Sequence, residues 1–283
     1  MRVFCLLIIL SFSTSIWAKR IITSQIHDID YGVVGEDEIL ILLKSGHVAK
    51  LKPDALDLIK EIQTVNFQKT WLTFTLDDHR YIKKIRSTKT PHFETPSYNS
   101  PGPDNKDSYV PTTVENLNAA QRYFREGRRA EEESQCFNRA MVWSYEWWKK
   151  HSLKSMKILI FFTRNYIRRY DFEWWFHIAP YIHVKINDQV VERVMDLKYT
   201  GRPYTFRDWT NIFMRNNAEC PVINKYSEYA DFPYTGDCFI IRTNMYTYQP
   251  ADLQMNEAWN YTKREFNLTE VKAAYLEAFD MVF

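Results

Sequence analysis

Through the first third of the chain, apolar and polar positions follow one another in short runs. Ile39-Leu40-Ile41-Leu42-Leu43, His47-Val48-Ala49-Lys50-Leu51 and Trp71-Leu72-Thr73-Phe74-Thr75-Leu76 are rich in strand-forming residues, and Ser45-Gly46 separates the first two. Short apolar runs bounded by turn residues predict strands. One helix is expected around Asp54–Thr64, so residues 19–86 read as a small β-rich domain. The pattern breaks at Ser87. From there to Pro111, five of the eleven prolines (Pro91, Pro96, Pro101, Pro103 and Pro111) stand among Ser, Thr, Asn and Asp. Such a segment buries too little apolar surface to offset its ordering entropy, and residues 87–111 are expected to be a linker.

From residue 112 the periodicity lengthens. A helix is predicted from Val114 to Arg125, with Thr112 or Thr113 as N-cap and Gly127 past its end. A second is predicted from a Ser134 cap to about Lys150, with one stripe formed by Cys136, Ala140, Trp143 and Trp147, and Phe137, Met141 and Trp148 beside it. A strand (Ile158–Thr163), a short basic connector, two further strands (Trp175–Val184 and Val190–Leu197) and a helix near Thr205–Met214 follow. The fold class is therefore α+β, with residues 112–283 as the larger domain.

Composition adds a compartment. Met1-Arg2, the apolar stretch Val3–Leu10 and a small-residue segment ending at Ala18 have the layout of a secretory signal peptide, with an apolar run too short to span a bilayer. Cleavage after Ala18 is expected, leaving a secreted or periplasmic protein with no membrane partner. With 37 Lys and Arg against 35 Asp and Glu, nothing indicates a nucleic-acid partner. Of the four cysteines, Cys5 would leave with the leader, and an odd number in an oxidising compartment implies one pair and one free thiol. Cys220 and Cys238 enclose a short turn-rich stretch and are predicted to bond each other, leaving Cys136 unpaired; the alternative is that all three are reduced and buried.

Three residues then carry candidate chemistry. Cys136 falls in the first turn of its helix, where unsatisfied N–H groups and the positive end of the dipole favour a thiolate. His177 lies on a strand face shared with Ala179, Tyr181 and His183. A metal site using both His177 and His183 is disfavoured, because six strand residues separate them by about 20 Å. If Asn187-Asp188 is the centre of an even-loop hairpin, Asp196 falls opposite Ala179, which makes His177 its diagonal neighbour on the same face at about 7–8 Å. A one-residue slip would send Asp196 to the other face. Cys136, His177 and Asp196 thus read as nucleophile, general base and acid, and orienting carboxylate of an acyl-transfer enzyme that needs no metal and no organic cofactor. The Cys136 N–H would serve as one oxyanion donor, with Gln135, Trp174 and Trp175 as candidates for a second donor or for the substrate pocket.

These motifs have a known parallel. Cys136-Phe137-Asn138-Arg139-Ala140, the aromatic-aromatic-His177-Ile178-Ala179-Pro180 strand, and Val194-Met195-Asp196-Leu197 followed by Trp209 resemble the bacterial protein-glutaminase (protein-glutamine deamidase) family over about residues 112–215. Leu197 stands where Pro is common in that family. The resemblance implies a fold related to transglutaminases and papain-like enzymes, in which a cysteine-bearing helix packs on an antiparallel sheet. It also implies hydrolysis of the side-chain amide of protein-bound glutamine through a thioester. Family enzymes are made with a pro-region that masks the active site, a part that residues 19–86 could play in cis. The partner would be a protein or peptide with accessible glutamine.

Other chemistries share the same residues. A transglutaminase would pass the thioester to a lysine amine, a papain-like protease would cleave the backbone, and a secreted binding protein would use the three residues structurally. Asn260-Tyr261-Thr262 and Asn267-Leu268-Thr269 fit the glycosylation sequon, which matters only in a eukaryotic secretory pathway.

Overall fold

The computed structural model describes residues 20–32, 38–65, 69–89, 109–254 and 265–280. The expected leader with Cys5, residues 90–108 of the expected linker, and the sequon at Asn260 lie outside the described residues. Compactness divides the chain into unit 1, Met1–Ile41 with Ala49–Lys89, and unit 2, Leu42–Val48 with Thr90–Phe283.

Six strands and one helix occur before the break in pattern. They are β1 (Arg20–Ser24), β2 (Ile26–Asp30), β3 (Ile39–Leu43), β4 (Val48–Leu51), α1 (Leu56–Thr64), β5 (Leu72–Leu76) and β6 (Ile82–Ser87). They form two three-stranded sheets, β1-β5-β6 and β2-β3-β4. β5 buries Leu72, Phe74 and Leu76 while Thr73 and Thr75 are half-buried, the alternation expected of a sheet covered on one face. β3 is buried at every position, so no alternation marks it.

Unit 2 is built on a sheet ordered β10-β9-β8-β11, with β7 beside β9. Its elements are β7 (Thr113–Val114), α2 (Leu117–Glu126), α3 (Cys136–His151), β8 (Met156–Phe162), α4 (Arg164–Tyr170), β9 (Phe176–Ile186), β10 (Gln189–Val194), α5 (Phe206–Phe213), α6 (Tyr226–Ala230), β11 (Cys238–Asn244), α7 (Pro250–Gln254) and α8 (Leu268–Phe279). β8 lies between β9 and β11, antiparallel to both, and is buried along its whole length. α3 packs against β9 and α8. Its residues from Phe137 to Trp147 are buried, whereas Trp148, expected beside the inner stripe, is 37% exposed.

The hairpin that matters for the site has the register expected of it. Gln189 pairs with Ile186 and Val194 with Tyr181. Asn187 and Asp188 both take positive φ, 48° and 60°, as a two-residue loop matched to strand twist requires. The Met195 N–H continues the ladder for one residue, to the Pro180 carbonyl at 2.8 Å. The strand ends earlier than the expected Leu197, because Val194 exchanges two backbone bonds with Tyr204 and the chain turns at residues 197–199.

Three local readings differ from expectation. Thr113 and Val114 pair with His183 and Val184 as a strand instead of opening a helix, and Asn116 caps α2 by accepting from the Ala119 N–H at 2.9 Å. Ser134 donates its hydroxyl to Glu131 and does not cap α3, whose N-cap is Gln135 with no side-chain cap bond. The basic connector is helix α4, capped by Thr163 and anchored by the buried Tyr166 and Ile167; seven residues are too few for periodicity to reveal it.

Beyond residue 215, where no helix or strand was predicted, α6, β11, α7 and α8 complete the unit. Cys220 and Cys238 are joined by a disulfide, and Cys136 is free. The bridge closes a separation of 18 residues at the start of β11. Replacing both cysteines by serine is expected to lower stability by about 3 kcal/mol, measured by urea unfolding against the oxidised parent. Among the described residues, no helix is long and apolar enough to cross a membrane.

Candidate active site

The site assembles where the start of α3, the start of β9 and the end of β10 meet. Cys136 is the first residue of α3 and is partly exposed. His177 is the second residue of β9 and is 2% exposed; Asp196, just past β10, is 1% exposed. His177 Nε2 lies 2.7 Å from Asp196 Oδ2, and the Cys136 side chain is the imidazole's other hydrogen-bond partner. With Nε2 committed to the carboxylate, Nδ1 is the nitrogen left for the sulfur. The three side chains therefore form one chain of contacts, thiol to imidazole to carboxylate.

Two further groups fix the carboxylate. The Trp209 indole N–H, from α5, donates to the same Asp196 Oδ2 at 2.9 Å. Arg139, one turn into α3 and 3% exposed, donates to the Ser134 carbonyl and lies close enough for its charge to act on Asp196. The backbone after Asp196 folds back on it. Thr200 donates both its N–H (2.9 Å) and its hydroxyl (2.8 Å) to the Asp196 carbonyl, and the Tyr199 N–H reaches the same oxygen at 3.2 Å.

The electrostatics follow from this geometry. Burial pulls His177 down, but the Asp196 charge and hydrogen bond, joined by Cys136, outweigh it and lift the imidazole from its ordinary 6.5 to about 9. For Asp196 burial pushes up, and the His177 charge and bond, the Arg139 charge and the Trp209 indole together hold the carboxyl below its ordinary value. The pair is thus ionised at neutral pH and buried; Asp196 Oδ2 takes both hydrogen bonds, while Oδ1 has no hydrogen-bond partner among the described residues.

Aromatic rings enclose the imidazole. Trp174 stacks on it at 6.0 Å, Tyr199 meets it edge-on at 5.2 Å, and Trp209 and Phe213 lie at 5.7 and 4.6 Å. Trp174 comes from outside β9, which begins at Phe176, so strand parity does not determine its direction. Trp175 is turned elsewhere: it is 1% exposed, its indole donates to the Leu43 carbonyl at 2.8 Å, and it packs on Phe161 and Phe176. Gln135 precedes Cys136 directly at the N-cap. Among the described residues, no group of His, Cys, Asp and Glu is arranged to hold a metal ion.

Sequence reasoning assigned no role to Arg139, Tyr199, Trp209 or Phe213. The Trp209 contact spans two elements and leaves no local pattern, whereas Tyr199 could have been found as the residue three past Asp196 in a turn. Trp209→Phe keeps the ring against His177 and removes one donor to the carboxylate. We expect turnover to fall about tenfold and Asp196 to titrate higher, read from kcat and the pH–rate profile.

One packing contact bears on the Asp196 turn. Gly127, the C-cap of α2, lies so close to Leu197 that a Cβ there would stand 2.2 Å from Leu197 Cδ2.

Both the sequence and the fold are similar to known proteins. Residues 120–213 match the family model described as Glutaminase. The fold is similar to that of a crystal structure of pro-protein-glutaminase, with a TM-score of 0.51 and 13% identity, covering 90% of this chain and 92% of that one. A mutant of pro-protein-glutaminase gives a TM-score of 0.50 at 12% identity with the same coverage. No curated protein matches the sequence. The matched segment contains Cys136, His177 and Asp196, and the fold around it is similar to that of pro-protein-glutaminase.

Proposed function

We propose that the chain is a secreted protein-glutamine deamidase that hydrolyses the side-chain amide of protein-bound glutamine through a thioester on Cys136. The observation that carries this reading is the hydrogen-bonded series Cys136, His177, Asp196 inside the segment that matches the Glutaminase model. The Cys136 sulfur attacks the γ-carboxamide carbon, and the carbonyl π electrons move to oxygen. Collapse of the tetrahedral adduct expels ammonia, protonated by the His177 imidazolium. The neutral imidazole then takes a proton from water, whose oxygen attacks the thioester and releases glutamate. Asp196 keeps the imidazole in one tautomer and stabilises its charged form. The Cys136 N–H, at a helix start with no side-chain cap, serves as one oxyanion donor. This division of labour is that of the transglutaminase and papain-like enzymes.

Residues 19–86 act in this reading as a pro-domain covering the site in cis. Supporting that part, the fold is similar to crystal structures of pro-protein-glutaminase. Cutting within residues 87–111 should therefore raise activity.

The test is incubation with a glutamine-rich protein such as casein, before and after that cut. Ammonia release with neither cross-links nor fragments, and its loss in Cys136→Ala, is the expected result. Cross-linked product, backbone fragments, or ammonia release that survives Cys136→Ala would overturn the reading.

A further inference from the structure

We propose that the Tyr199 hydroxyl is the second oxyanion donor of this site, beside the Cys136 N–H. The proposal rests on the thioester reading above. Tyr199 lies in the turn after Asp196, held by the three hydrogen bonds that this turn makes to the Asp196 carbonyl. Its ring meets His177 at 85° and 5.2 Å, and packs on Trp174 at 5.8 Å and Phe213 at 5.4 Å. The ring is therefore fixed on every side that matters for aim. The hydroxyl itself makes no hydrogen bond among the described residues, although the phenol is half-buried and within reach of the charges of Cys136 and Asp196. A fixed, half-buried donor beside a nucleophile lacks an acceptor, and the oxygen that gains charge in the reaction is one.

Two neighbours suit the phenol to this role. Burial raises it, the Arg139 guanidinium 5.8 Å over its ring pulls it down, and the nearby negative groups raise it again, leaving it at about 12. It thus stays protonated wherever His177 and Asp196 are both charged, and the guanidinium strengthens the O–H as a donor. The other candidates fit less well. The Trp175 N–H is taken by Leu43, and Trp174 is stacked on the imidazole at 25° to its plane.

The electron balance gives the test. As Cys136 sulfur bonds to a carbonyl carbon, the π pair localises on oxygen, and Tyr199 stabilises only that anion. Alkylation by iodoacetamide displaces iodide from an sp³ carbon and forms no oxyanion. Acylation by p-nitrophenyl acetate does form one, whatever the natural substrate. In the full chain, Tyr199→Phe is expected to slow p-nitrophenolate release about 10²-fold while leaving the alkylation rate within about threefold. Unchanged acylation, an equal loss in both reactions, or a selective loss in Gln135→Ala instead would overturn the assignment. The alkylation rate also reports that the variant has folded with its site intact. If Tyr199→Phe is selectively impaired in acylation but the parent releases no ammonia from casein, the Tyr199 assignment stands and the glutamine reading falls.

Discussion

Asp196→Ala should lower kcat by about 10³–10⁴-fold, the loss expected when the third member of such a series is removed and the nucleophile and base remain. The variant removes the charge and hydrogen bond that hold His177 against burial, so the imidazole must fall from about 9 and the basic limb of the pH–rate profile must move toward neutrality. Stability changes with a defined sign. His177, raised in the folded state, contributes in full below 6.5 and loses that contribution as pH rises through about 9. Asp196, depressed in the folded state, contributes above 3.8 and loses it as pH falls through its folded value. The difference in thermal stability between parent and Asp196→Ala should therefore be largest between those two ordinary values and shrink on either side. Asp196→Asn separates orientation from charge. One carboxylate oxygen accepts both the imidazole and the Trp209 indole, so an amide oxygen in the same place can orient the ring without neutralising it. Its kcat should fall between those of parent and alanine variant. An alanine variant within tenfold of the parent would exclude Asp196 from the mechanism.

Trp147→Ala should cost about 3–5 kcal/mol, a large share of the ordinary 5–15 kcal/mol of domain stability. Trp147 is 1% exposed, sits on the inner stripe of α3, and donates its indole N–H to the Tyr123 carbonyl of α2 at 3.0 Å. The substitution leaves a cavity between the helices and removes that bond. Urea unfolding should show a lower midpoint at unchanged slope. In the folded fraction, alkylation of Cys136 should proceed at the parental rate, because α3 separates the two residues by three turns. A midpoint unchanged within error would mean that the α2–α3 contact carries little of the stability.

What the sequence made legible were features governed by short-range rules. The hairpin register followed from Asn187-Asp188, because a two-residue loop at positive φ leaves one pairing open, and with it came the side-by-side placement of His177 and Asp196. The odd cysteine count pointed to the Cys220–Cys238 bond. Helix starts were less legible: Thr112, Thr113 and Ser134 are good caps in isolation, and each is engaged by another part of the fold or displaced by a neighbour. Of the surroundings of the imidazole, only Trp174 was legible, as a candidate for the pocket. Trp209 and Phe213 reach it from α5, Tyr199 from a turn and Trp174 from before the strand, and no periodicity links such positions. Trp175 shows the converse, since its place beside His177 in sequence suggested a pocket and its indole went to Leu43.

The contact between Gly127 and Leu197 joins two distant positions into a single unit of variation. One volume is shared between a backbone hydrogen at the end of α2 and a branched side chain beside Asp196. A methyl at 127 forces the end of the Leu197 side chain aside; a smaller residue at 197 leaves room for that methyl. Their substitution energies should therefore be strongly non-additive. In descendants of this chain the two sites should drift in concert, so that a change at 127 is tolerated only on a background in which 197 has already given up its branch.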